Sequence, residues 1–190
     1  MLYDPTRHEV LQPMSWDEAR VRAVIEHIVR DTETRYSPDR YWPLHPRDVD
    51  GDEDPTQPAT GLYYGACGVI WALQYLQSVG AATLSRSYME ALDTLLLRNR
   101  ETLKSFKSQD FASYFMGDTP ILMLAYGHEP SATRADALAT LIEGNVDHPA
   151  RELMWGSPGT LLAALFLHER TSDARWSALF RTTAAKLWSQ

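Results

Sequence analysis

One pattern, written three times, constrains this chain more than any other. It reads Gly61-Leu-Tyr-Tyr-Gly-Ala-Cys-Gly-Val-Ile-Trp-Ala-Leu73, then Ser113-Tyr-Phe-Met-Gly-Asp-Thr-Pro-Ile-Leu-Met-Leu-Ala125, then Glu152-Leu-Met-Trp-Gly-Ser-Pro-Gly-Thr-Leu-Leu-Ala-Ala164. Aligned on Gly65, Gly117 and Gly156, the copies lie 52 and 39 residues apart. Each has an apolar or aromatic lead, a glycine, two small or turn residues, Gly or Pro, and an apolar run. Repeats at this period imply stacked units, each a helix pair. The leading glycine permits positive φ or the close approach of another stretch of chain. Pro120 and Pro158 fall in the first helical turn, where a missing N–H costs little. The following helix is apolar almost all round and is expected to be buried on both sides. Such inner helices, wrapped by more amphipathic outer ones, predict an α/α toroid. The inner helix N-termini would then line one end of a central cavity and favour an anionic or polar ligand.

The rest of the chain also reads as helix. No Asn-Gly or Asp-Gly turn stands between alternating apolar runs, so strand signals are scarce. Ser15 and Glu18 have capping-box spacing, and Val21, Val24, Ile25 and Ile28 mark one buried stripe, predicting a helix over about 16–35. Further apolar segments run over about 66–78, 83–105, 119–128, 132–144, 157–170 and 173–188, with breakers at Gly80, Gly127 to Pro130 and Gly144 to Pro149. In the last segment Trp176, Leu179, Phe180, Thr183 and Leu187 form a helical stripe. Residues 36–60 hold five prolines and an acidic cluster from Asp48 to Asp54. Neither feature continues a helix, so a long loop over the cavity mouth is expected. The whole reads as one all-α domain over 1–190, an incomplete ring of about three helical hairpins.

Composition excludes several functions. With 18 basic and 25 acidic residues the net charge is −7, a poor match for nucleic acid or an anionic membrane. One cysteine, Cys67, excludes an internal disulfide and any zinc shell needing two cysteines from this chain. No signal peptide is legible, and the longest clean apolar run, Leu161 to Leu167, is too short to span a bilayer. A soluble cytoplasmic protein is expected. Asp48, Asp50, Asp52 and Asp54 do not form an EF-hand loop, because position twelve counted from Asp48 is Ala59.

The segments 61–73 and 152–167 resemble the lanthionine synthetase C-like family, the first in its Gly-x-x-Gly helix start and the second in its Glu-Leu-Leu-Tyr-Gly type of segment. The resemblance covers about residues 60–170 and concerns the N-terminal half of that family. Other helical toroids, including six-hairpin glycosidases, also use glycine-led inner helices. The resemblance implies an α/α toroid of about twice this length. It further implies addition of a peptide or small thiol to dehydrated Ser or Thr. Family cyclases hold zinc with two cysteines and a histidine in their C-terminal half. This chain has no Trp-Cys-x-Gly and no Cys-His-Gly, so no zinc or other cofactor is expected here unless further sequence supplies those ligands. By itself the chain is expected to be inactive, with its open edge covered by further sequence or by a second copy.

The resemblance places a catalytic acid at Glu152. Among Leu153, Met154 and Trp155, burial would raise its pKa toward neutrality and suit it to proton transfer. His45, in the long loop, is a candidate for the cavity mouth. Asp118 and Trp155 are candidates for substrate contact. Cys67, at an inner-helix start, is expected either as a thiol of lowered pKa or as a small buried residue. Two alternatives accompany the thiol-addition reading. One is a carbohydrate-active or carbohydrate-binding toroid, with Trp71, Tyr114 and Trp155 on the inner face and paired carboxylates such as Asp118 and Glu152 across the cavity. The other is a non-catalytic interaction scaffold.

Overall fold

The computed structural model describes residues 13–45, 49, 57–105 and 110–189. Seven α-helices occur among them: α1 (Glu18–Arg35), α2 (Ala66–Ser78), α3 (Leu92–Ser105), α4 (Thr119–His128), α5 (Ala132–Gly144), α6 (Ser157–Thr171) and α7 (Ala174–Trp188). A single 3-10 turn, Met89–Ala91, precedes α3, and no β-strand occurs among the described residues. The all-α expectation therefore holds. None of these helices is long and apolar enough to cross a membrane.

Polar side chains set three helix starts. The Asp17, Ser131 and Asp173 side chains accept backbone N–H groups of Arg20, Arg134 and Arg175 at the heads of α1, α5 and α7. Asp17 caps α1, not the expected Ser15, so that helix starts two residues later. The segment expected as helix from 83 is irregular up to Tyr88. There the Glu33 carboxylate accepts from Ser85 N and Oγ, at 2.8 and 3.0 Å, and from the Tyr88 hydroxyl at 3.2 Å. These bonds from α1 hold residues 85–88 in a non-helical path and delay α3 to Leu92.

The repeated helices form one row and their partners another. α4 packs on both α2 and α6; α3 packs on α2 and α4; α5 packs on α4, α6 and α7. Two apolar cores meet at α4. Ile70, Leu73, Leu92, Leu95, Ile121 and Ala125 belong to the first. The second gathers Leu122, Leu138, Ile142, Ala163, Leu167 and Trp176. Trp176, Leu179 and Thr183 of the expected α7 stripe are buried.

The α1 stripe is a correction. Val29 is its buried residue, whereas Val24 and Ile28 are half exposed. Amphipathic periodicity announces an apolar face but not what covers it. α2 is likewise buried on one side only: Cys67 and Ile70 are fully buried, and Trp71 and Tyr75 project outward as a stacked pair 5.7 Å apart.

Of the long loop, 46–48 and 50–56 lie outside the described residues, so the acidic cluster is not placed apart from Val49. The segment 36–45 is non-helical, as expected. Ser37 and Tyr41 exchange backbone hydrogen bonds, and Tyr88 packs edge-to-face on Tyr36 and at a tilt on Trp42.

Candidate functional site

The three glycine-led turns are structurally alike. At Gly65 and Gly156 the backbone is extended (φ −121° and −86°), so neither uses positive φ. Close approach is the reason for glycine. A Cβ on Gly65 would stand 2.6 Å from the nitrogens of Thr60 and Gly61. On Gly117 it would stand 2.7 Å from Ser113 N, and on Gly156 2.7 Å from the carbonyl carbon of Ala150. In each case the chain four to six residues earlier folds back over the helix start.

That fold-back uses up the helix N-terminus. The N–H groups of Ala66, Cys67 and Gly68 donate to the carbonyls of Ala59, Thr60 and Gly61, and Asp118 N–H donates to Phe111 O at 2.7 Å. The expectation that free N–H groups at the inner helix starts receive an anion is therefore corrected at α2: the turn itself satisfies them. Neighbouring turns are also tied together. Leu62 and Tyr63 N–H donate to Phe115 O at 2.8 and 3.2 Å, and the Ser113 hydroxyl donates to Met154 O at 2.6 Å.

Beside this row of turns, between α1, α2, α4 and α6, lies a half-open cleft of about 1030 Å³. Ile28, Tyr63, Trp71, Phe115, Met123 and Phe166 are among its walls. Trp71 and Tyr114, expected on the inner face, both line it. Among the described residues that line it, Arg170 is the one charged side chain. Its Nη2 donates to Gly127 O at 2.8 Å, where the last turn of α4 presents carbonyls. Sequence reasoning missed Arg170, because nothing local in Leu167-His168-Glu169-Arg170 points to a cleft 43 residues from its backbone partner.

The expected site residues do not converge here: Glu152, His45, Asp118 and Trp155 are all absent from the cleft walls. Glu152 is exposed, and its carboxylate closes the third turn. Oε2 accepts from Met154 N at 2.6 Å and Oε1 from Trp155 N at 2.9 Å. Those backbone N–H groups hold its pKa below the ordinary carboxylate value. The argument from burial, which required an upward shift, is overturned, because the neighbouring apolar residues do not enclose the carboxyl; Leu153 is itself exposed.

Asp118 is buried. It accepts from Asn99 Nδ2 at 3.1 Å and from Arg100 Nε at 2.5 Å, while Thr60 donates to Asn99 Oδ1 at 2.7 Å. Burial pushes its pKa up against the opposing pull of Arg100 and Asn99. This chain of bonds clamps the first two turns to α3. His45 is exposed in the loop, and Trp155 is half-buried in the third turn. None of the described residues from the 36–60 loop lines the cleft, so the expected cover over its mouth is not seen in them.

Cys67 is fully buried, and burial pushes its thiol pKa far above the ordinary value. The expectation of a lowered pKa is overturned; the small buried residue is what is found. Among the described residues no three His, Cys, Asp or Glu side chains gather as a metal shell would require. No protein-family profile, curated protein or solved structure matches this chain.

Proposed function

We propose that the protein is a binding module in which an arc of α/α-toroid architecture holds an apolar ligand in the cleft between α1, α2, α4 and α6. The cleft itself carries this reading. Its volume, about 1030 Å³, is at the upper end for ligand sites, and its walls are aliphatic and aromatic. Ile28 of α1 and Trp71 of α2, both among its walls, stay exposed, and folding alone does not account for so much open apolar surface in one place.

The architecture is part of the proposal. Its support is the row of like turns heading α2, α4 and α6, with α3, α5 and α7 packed against those helices. The same support favours a second reading, thiol addition to dehydrated Ser or Thr in a peptide, as in lanthionine synthetase C-like proteins. On that reading zinc and its ligands come from further sequence. The carbohydrate reading loses its discriminator, since no carboxylate is among the cleft walls.

The test is titration with Nile red, a neutral apolar dye. Saturable one-to-one binding is expected. Trp71→Ala, at a half-exposed position that the fold does not need, is expected to weaken it about tenfold, the usual effect of truncating an aromatic wall residue. Absence of saturable binding, or indifference to Trp71→Ala, would overturn the reading.

A further inference from the structure

The cleft is apolar along its length and cationic at one end. We infer that its ligand is a long-chain aliphatic monocarboxylate, taken up as the free molecule, with its head on Arg170 and its tail toward Tyr63 and Phe115. This rests on the apolar-ligand reading above and names its substrate class.

The two ends of the cleft are chemically different. At the turn end, Gly65, Gly68, Tyr63 and Phe115 line the wall, and the first-turn N–H groups of α2 are already bonded to the folded-back chain. An anion gains nothing there. At the opposite end Arg170 lies flat on Gly127. A Cβ on that glycine would come within 2.8 Å of the guanidinium carbon, so the absence of a side chain makes the seat. One of the five guanidinium donors goes to Gly127 O. Among the described residues no ion pair engages Arg170. A guanidinium so placed presents its remaining donors in the fork that matches a carboxylate. Its own charge offsets the negative end of the α4 dipole, where an anion would otherwise be disfavoured.

The body of the ligand follows from the walls. A peptide in this cleft would bring an amide N–H and C=O every residue, and apart from Arg170 the walls offer few polar side chains, Thr32 and three tyrosines, to partner them. A hydrocarbon chain brings none. The rise along α2 from Gly65, at the turn end, to Leu76, both of them wall residues, is about 16 Å. Extended polypeptide advances roughly 3.5 Å over three bonds, or about 1.2 Å per bond, and a saturated chain does much the same. About a dozen carbons therefore span the cleft.

The experiment is calorimetric titration with straight-chain carboxylates of about 8 to 16 carbons, each below its micelle concentration. Primary alcohols and alkyltrimethylammonium ions of the same lengths are run beside them. Arg170 is exposed, so in the wild-type protein the carboxylate is expected to bind about two- to fivefold more tightly than the alcohol, the range of a solvent-exposed ion pair. Affinity is expected to rise roughly fourfold per carbon and to level off near twelve. Arg170→Gln is expected to erase the preference for carboxylate over alcohol. Arg170→Lys is expected to keep part of it.

Equal affinity for carboxylate and alcohol in the wild-type protein overturns the inference, and needs no variant to fold. So does unchanged carboxylate affinity in Arg170→Gln. Sedimentation with anionic phosphatidylglycerol vesicles, without binding of the free carboxylate, would also count against it. Nile red separates the two levels. Dye bound with no head-group preference sinks only the carboxylate, whereas no dye bound sinks the apolar site as well.

Discussion

Adding a single methyl group at Gly156 tests the account of the repeated turns. Alanine adopts φ −86° and ψ 179° freely, so a cost at this site is steric. The new Cβ would lie 2.7 Å from the Ala150 carbonyl carbon and 2.9 Å from Glu152 O, and would press on Ala150 O as well. All three are backbone atoms, which no rotamer change can move. Relief requires the turn to open. Opening gives up Gly156 N–H to Glu152 O, at 3.1 Å, and the two bonds to the Glu152 carboxylate. Forcing a methyl into so close a site costs about 1–3 kcal/mol. Alanine recovers about 0.4–1 kcal/mol by restricting the unfolded chain. The net is a loss of about 1–2 kcal/mol, or a fall in Tm of about 3–6 °C for a chain of this length. Gly144→Ala is the matched control. It ends α5 with nothing within 4 Å of its Cβ position, so it is expected to raise stability by about 0.5–1 kcal/mol. Urea denaturation followed by circular dichroism measures both. Gly156→Ala within about 0.5 kcal/mol of wild type, the range of an indifferent surface change, would refute the close-approach argument.

Two further outcomes are expected. The Glu152 carboxyl is held below its ordinary value of 4.5 by the Trp155 and Met154 N–H groups, so its stabilisation is fully present above that value and is lost as pH falls through the lower folded value. Glu152→Gln should therefore lower the urea midpoint at pH 7 and converge on wild type in strong acid; a pH-independent gap would contradict the hydrogen-bonded role. The buried Cys67 thiol should resist an aromatic disulfide reagent at pH 8 in the native protein and react fully once denaturant is added. Rapid native labelling would show that α2 opens or that the thiol is accessible.

The helices α2, α4 and α5 are legible in the sequence to the residue, because glycine, Pro120 and Ser131 punctuate apolar runs at their starts. The start of α3 is not, because Glu33, more than fifty residues earlier, captures Ser85 and Tyr88. Periodicity found the apolar stripe of α1 and assigned it to the core; its exposure at Ile28 depends on the open cleft beside it. Of the three aromatics that the repeat places on the inner face, Trp71 and Tyr114 line the cleft and Trp155 does not. Glu152 was misjudged because its apolar neighbours in sequence are not its neighbours in space. Arg170 carried no local signal: only the packing of α6 against the end of α4 gives it a place.

The bonds between successive turns have a direction. Phe115 and Met154 each stand two residues before their own glycine, and each carbonyl serves the turn that precedes it in the chain. The turns are thus joined head to tail, with an accepting edge and a donating edge that differ. Surfaces related in this way are heterologous: a twofold pairing of like edges cannot reproduce the bond that links one turn to the next. An added unit therefore has to arrive in one orientation, its own accepting carbonyl turned toward the donating side of the turn at 150–156. Within this chain the row is directional, running from the turn at 59–65 to the turn at 150–156.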